Sequence, residues 1–173
     1  MRARGAEGPV VEAQPTPRAG AKDLVFLSLA GAASRGSPDG IYVRALAEES
    51  APWTLVERGS FRDLALASGG GWLFANEGNF DRAEPRSRVV AWALAPEGLP
   101  SGPRRALDTE TRGQVRKIAP SPSGAGLFAE IALFEKGYPY GRSAIFSMDN
   151  ETGRPARLVA RDLADPSLSA PPG

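Results

Sequence analysis

The chain has 173 residues, 42% hydrophobic and 24% charged, so it is long enough to bury a core in one domain or at most two. Its 21 basic and 20 acidic residues leave a net charge of +1, which argues against a dedicated nucleic-acid binder. The sequence has neither cysteine nor histidine, which excludes disulfides, thiolate nucleophiles and Ser-His-Asp triads and removes the commonest metal ligand.

The N-terminal part of the sequence contains a predicted disordered segment and one apolar run. Residues 1–8, rich in Gly, Ala and Arg, are predicted to be disordered. The run LVFLSLAGAA, Leu24 to Ala33, ends in small residues as a signal peptide does. A segment of more than 20 residues that carries Glu7 and Glu12 precedes it, however, with Asp23 directly against the run, and this favours a buried strand. The compartment, cytoplasmic or periplasmic, stays open, and no run reaches the ~18 apolar residues of a membrane span.

Short apolar runs, separated by turn residues, follow one another along the chain. Twenty glycines and 16 prolines leave little room for long helices. The runs are rich in residues that favour strands. They are Leu24–Leu27, Ile41–Val43, Leu73–Phe74, Val89–Trp92, Leu127–Phe128 and Ala144–Phe146. The sequence therefore predicts an all-β fold.

A repeat of about 50 residues organises these runs. The segment SPSGAGLFAE, residues 121–130, aligns with ASGGGWLFAN, residues 67–76, so that Gly124 matches Gly70. Similar turns surround Gly20 and Gly173. Each of the first three turns is preceded by one candidate strand and followed by three more, the first of them directly after the turn. Four strands per period of this length are typical of a β-propeller blade.

The repeat predicts the domain organisation. Three blades are expected at about residues 9–57, 61–108 and 114–161, and residues 162–173 would start a fourth blade or form a tail. The predicted fold is thus all-β and propeller-like, with three four-stranded antiparallel blades plus the start of a fourth. A β-sandwich or barrel with regularly spaced turns is the alternative.

The turn Ser121-Pro122-Ser123-Gly124, between two predicted strands, resembles the S-P-x-G turn of the WD40-like repeat in TolB-type propellers. The propeller domains of prolyl-oligopeptidase-like enzymes share that repeat. Gly70 and Gly20 occupy the glycine position in turns that match less fully. Proline presets φ and glycine supplies a positive φ, so this motif is predicted to carry structure and no chemistry.

Binding is predicted where the second and third strands of each blade are joined. These connections, Ala30–Gly40, Asn76–Ser87 and Phe134–Gly141, are long, and equivalent loops of successive blades emerge on one face. The face should present polar and aromatic side chains suited to contact with a partner. The predicted binding residues are Asn79, Phe80, Phe134, Tyr138 and Tyr140.

The segment Asn76–Asp81 gathers the amide and carboxylate oxygens that calcium accepts as ligands. It lacks the spacing of an EF-hand loop, so a solvated turn is favoured, and no metal or cofactor is predicted.

The favoured function is that of a non-enzymatic scaffold that binds a protein or a small ligand through its long-loop face. The resemblance implies a rival, the propeller fragment of a prolyl-oligopeptidase-like hydrolase without its catalytic domain. A carbohydrate-binding module using the aromatic residues is a third interpretation. Propellers have about four to eight blades, so a second copy or further blades are expected to close the ring. Neither nucleic acid nor a membrane is an expected partner.

Overall fold

The protein is described by a computed structural model that covers residues 11–13, 23–29, 37–47, 50–67, 69–79, 86–107, 113–124, 126–135, 138–149 and 157–161. These residues form twelve strands and no helix. In chain order the strands are β1 (Val11–Ala13), β2 (Leu24–Leu29), β3 (Gly40–Ala45), β4 (Thr54–Arg58), β5 (Phe61–Leu66), β6 (Trp72–Asn79), β7 (Arg86–Leu94), β8 (Pro100–Ala106), β9 (Gly113–Pro120), β10 (Gly126–Glu135), β11 (Tyr138–Asp149) and β12 (Arg157–Arg161). The predicted disordered segment 1–8 and the tail 162–173 lie outside the described residues.

The strands form three four-stranded antiparallel sheets, each in simple up-and-down order. Sheet A contains β1 to β4, sheet B contains β5 to β8, and sheet C contains β9 to β12. The predicted all-β class is confirmed, and the arrangement agrees with a propeller-like fold as well as with a sandwich. The run that begins at Leu24 is the buried strand β2, as predicted.

Sheet B lies between the other two, and its side chains alternate between them. Leu73 and Trp92 belong to an apolar cluster shared with sheet A, whereas Phe74 and Ala91 belong to one shared with sheet C. This alternation follows from the two-residue period of a strand, because both faces of a middle sheet must be apolar. The first strands of the three sheets are neighbours in space, because β5 contacts both β1 and β9.

The glycine turns adopt the backbone conformation that the sequence predicted. Gly70 has a φ of 65° and Gly124 a φ of 73°. Their amides donate to the carbonyls of Ala67 and Ser121, at 2.8 and 2.9 Å respectively. The two turns thus share one hydrogen-bond pattern, 54 residues apart along the chain. Gly20 lies outside the described residues.

Two of the predicted long connections are shorter than the sequence indicated. β6 continues to Asn79, and the connection between β10 and β11 contains only residues 136–137. Pairing of Asn79 with Arg86, and of Glu135 with Tyr138, extends both hairpins. The reason is that cross-strand hydrogen bonds satisfy backbone groups that polar and aromatic residues in a loop would leave to water.

Candidate functional site

The loop end is the end of the stack at which β2, β6 and β10 terminate. Between sheets B and C its position follows from two hydrogen bonds. Asn76 Nδ2, near the end of β6, donates to the Val115 carbonyl at 2.9 Å, and the Val115 amide donates to Ser87 Oγ at 2.8 Å. Val115 pairs with Ile131, and β9 begins two residues earlier at Gly113, which pairs with Leu133 near the end of β10. The end of β6 and the end of β10 therefore lie at the same end of the stack.

Sheet A places its connection at this end as well. The Gly59 amide, between β4 and β5, donates to the Asp39 carbonyl at 3.1 Å, just before β3 begins. The neighbouring Ser60 carbonyl accepts from the Gly78 amide, near the end of β6, also at 3.1 Å. The link between sheets A and B thus joins the start of β3 to the end of β6. The strand ends that flank the three second-to-third connections thus share the loop end.

The predicted binding residues have backbone positions at this end. Asn79 is the last residue of β6, and Phe134 is one residue before the end of β10. Tyr138 and Tyr140 begin β11. Their side chains, and Phe80 entirely, lie outside the described part of the structure. The topology therefore brings four of the five positions to one end, and a shared side-chain surface stays a prediction.

Asn76 and Ser87 form a clamp on β9, named here the β9 clamp. β9 is the edge strand of sheet C, and edge strands carry backbone groups that need partners. The clamp satisfies both the amide and the carbonyl of Val115, with two side chains from sheet B. Asn76 is 2% exposed, and its Oδ1 receives no hydrogen bond within the described residues. The clamp ties the edge strand of sheet C to sheet B near the loop end.

Asp63 reaches the β9 clamp from an irregular point in β5. Its Oδ2 lies 3.5 Å from Asn76 Nδ2, the long limit for a hydrogen bond. Asp63 has a φ of 52°, and it is the one described residue other than glycine in the left-handed region. The pairing of β5 with β6 shifts between Arg62 and Ala65, which is a bulge. The bulge turns a polar side chain toward Asn76 at the interface of sheets B and C.

The sequence interpretation of Asn76 and Glu77 as part of a solvated turn is wrong. Both are strand residues of β6, and Asn76 is buried between sheets. The signal was present in the alternation, because Asn76 stands two residues after Phe74 and so shares its face. Among the described residues, no group of three or more Asp or Glu side chains could hold a metal ion.

Glu77 is the centre of an ion network that connects sheets A and B. Its carboxylate accepts from Arg88 Nε at 2.7 Å and also pairs with Arg104, whose guanidinium lies 3.8 Å from Glu57 Oε1. The arginines are 35–48% exposed, so each pair stabilises the fold only weakly. The network closes the sheet A–sheet B contact near the loop end and needs no ligand to balance its charges.

The opposite end of the stack carries the S-P-x-G turn. Ser121 Oγ lies 2.9 Å from Ser123 Oγ and 3.4 Å from the Ser123 amide, which is the geometry of a serine-stabilised turn. Pro122 and Ser123 are exposed. These contacts give the turn a structural role, as the sequence predicted.

Comparison with protein-family models, with curated proteins and with solved structures finds no match for this chain. No helix among the described residues has the length and apolar character needed to cross a membrane. Within the described residues, the ends of β2, β6 and β10 lie together at one end of the stack, next to the β9 clamp and the Glu77 network.

Proposed function

We propose that the protein is a non-enzymatic, propeller-type scaffold that binds a protein or a small ligand at its loop end. The observation that supports this proposal is that the strand ends flanking the three second-to-third connections lie at one end, as the contacts of Val115, Gly59 and Gly78 indicate. In repeat proteins such a convergence builds one continuous surface from successive units.

A rigid support favours binding at this end. Ordering a mobile surface costs conformational free energy at the moment of association, so loops fixed on packed sheets bind with a smaller loss. The β9 clamp and the Glu77 network both lie close to the loop end. Tyrosine adds large contact area at low entropic cost, which is why Tyr138 and Tyr140 are the proposed anchors.

The experiment uses the absence of cysteine in the natural chain. A single cysteine that carries a photo-crosslinker replaces Asn79 at the loop end, and in a matched variant it replaces the exposed Ser123 at the opposite end. Each labelled protein is irradiated in an extract, and captured proteins are identified by mass spectrometry. We expect a specific partner at position 79 and none at position 123. Equal capture at both positions would contradict the proposal.

The anchors are then tested with the captured partner. Replacing Tyr138 and Tyr140 with alanine should weaken binding by at least about tenfold, which corresponds to about 1.4 kcal/mol, and should leave the melting temperature nearly unchanged. A double variant that melts early and binds normally would show that the tyrosines only pack on the fold. Screens of the same protein on a glycan array and with peptidase substrates test the carbohydrate-binding and hydrolase alternatives.

A further inference from the structure

The outer face of sheet C, the side turned away from sheet B, carries an exposed aromatic ring. Phe128 in β10 is 38% exposed and belongs to neither apolar cluster. Its neighbours Leu127 and Ala129 point to the opposite side, into the cluster shared with sheet B. Ser147 pairs with Phe128, and Ile145 pairs with Glu130, two residues further along β10. Both Ser147 and Ile145 are only half-buried.

This outer face repeats the face by which sheet B contacts sheet C. Phe128 follows Phe74 by 54 residues, the period of the glycine turns. Phe74 pairs with Ala91 just as Phe128 pairs with Ser147. Phe74 is fully buried against sheet C. At the same strand position, Phe74 is therefore covered by a neighbouring sheet, whereas Phe128 is partly exposed to solvent.

The outer face of sheet A, the side turned away from sheet B, is of the complementary type. Leu27, Tyr42 and Leu55 are cross-strand partners in β2, β3 and β4, so they share this face. They alternate with Phe26 and Val43, which face sheet B. In sheets B and C the corresponding face is the apolar one that receives the preceding sheet. Leu27 and Leu55 are half-buried and Tyr42 is 8% exposed. One chain therefore carries the residue pattern of both halves of this contact.

We propose that the outer face of sheet C docks on the outer face of sheet A of a second copy of this chain, head to tail. Two copies joined in this way make two identical contacts and close into a pair with six sheets, within the range of about four to eight found in propellers. The inference does not depend on the loop-end function, because it uses the faces of the stack and not its ends.

The area of these faces fits a closed pair. A face about four strands wide and six residues long covers about 19 by 20 Å, or about 400 Å² on each partner. Two contacts bury about 1,600 Å² in total, which is the usual size of a specific interface, whereas a single contact buries about half of that. Closure of both contacts is therefore favoured over an open chain of copies.

Some polar groups on the outer face of sheet C have hydrogen-bond partners within the sheet. Glu130 lies opposite Lys117 in the strand register and accepts a hydrogen bond from Ser143 Oγ at 2.9 Å. Arg116 donates to the same hydroxyl at 3.3 Å. Groups that already have a hydrogen-bond partner do not have to find a new one when a second sheet covers them, so the cost of burying these groups is reduced.

The first test compares two apolar residues with the same exposure. Phe128 and Leu99 are each 38% exposed, but Leu99 lies in the turn between β7 and β8, away from the proposed contact. Analytical ultracentrifugation over a range of concentrations should show a dimer for the natural chain and for Leu99→Asp. Phe128→Asp should raise the dissociation constant by at least about tenfold. A monomeric natural chain, or equal effects of the two substitutions, overturns the proposal.

The second test uses milder substitutions and reports orientation. Two single-cysteine variants, Phe128→Cys and Leu27→Cys, are mixed and treated with a short thiol-specific cross-linker, after circular dichroism has shown that both are folded. A head-to-tail pair gives mainly the mixed cross-link between the two variants. If Phe128→Cys instead cross-links to itself when it is alone, the copies meet through sheet C on both sides, and the head-to-tail proposal is wrong.

Discussion

Replacing Asn76 with leucine removes the side chain that satisfies the Val115 carbonyl and keeps a similar volume at a site that is 2% exposed. A buried carbonyl without a partner costs about 1–3 kcal/mol. Part of that cost is offset, because Asn76 Oδ1 receives no hydrogen bond within the described residues and is removed at the same time. We therefore expect a net loss of about 1–2 kcal/mol of unfolding free energy, with Tm lower by about 2–8 °C in a chain of this size.

Asn76→Asp is the sharper variant, because it places a carboxylate against the Val115 carbonyl and replaces attraction with repulsion. It should destabilise more than the leucine variant, by about 3 kcal/mol or more. Ser87→Ala leaves the Val115 amide without its acceptor, at about 1–2 kcal/mol.

Urea denaturation of these variants is compared with Ser123→Ala, which changes an exposed turn residue and should alter stability by less than about 0.5 kcal/mol. Because Asn76 and Ser87 bind the same residue, their double variant should lose less than the sum of the single losses. An aspartate variant as stable as the natural chain would refute the clamp.

Two further perturbations test the packing of the stack. Gly126→Ala would place a Cβ atom 2.2 Å from the Met148 carbonyl oxygen, so β10 and β11 must separate locally; we expect a loss of about 1–3 kcal/mol in urea denaturation, and an unchanged midpoint would contradict the close approach. Trp92→Ala removes a ring that is 2% exposed and meets Phe61 edge to face at 5.7 Å; a loss of about 3–5 kcal/mol is expected by thermal denaturation, and a loss below about 1 kcal/mol would mean that sheets A and B do not pack as described.

The features that could be predicted from the sequence are those determined by local chemistry. The glycine turns around Gly70 and Gly124 need a positive φ at a fixed place, and the short apolar runs between turn residues favour strands. Four strands per repeat then follow from the spacing. These features depend on residues near one another in the chain, so the order of the strands and the positions of the turns can be predicted from the sequence.

The features that could not be predicted depend on partners distant in the chain. Asn76 and Val115 are 39 residues apart. No residue near Asn76 in the sequence indicates that its side chain donates to a carbonyl of another sheet. The ends of β6 and β10 extend beyond the strands that the sequence predicted for a similar reason. The polar and aromatic residues there form strand only because they pair with the next strand. The proposed binding surface also depends on residues distant in the chain, because the sequence does not show which side chains lie next to one another.

Equivalent positions in the three sheets show how each face is adapted to its neighbour. Two residues after the phenylalanines of β2 and β6, and after Phe128, stand Ser28, Asn76 and Glu130. Ser28 is fully buried against sheet B, and Asn76 clamps the first strand of sheet C. Glu130, on the outer face of sheet C, is a carboxylate that can accept hydrogen bonds but, when ionised, cannot donate one to a backbone carbonyl.

A second copy docked on sheet C therefore cannot be held by the clamp that joins sheets B and C. The apolar contact around Phe128 remains, but the directional bond that secures an edge strand is missing from the outer face. Association through this face should accordingly be weaker than the stacking inside one chain, and reversible at concentrations at which each copy stays folded. In this proposal, the residue two positions after the phenylalanine, Asn76 in sheet B and Glu130 in sheet C, distinguishes the interface inside one chain from the reversible contact between two copies.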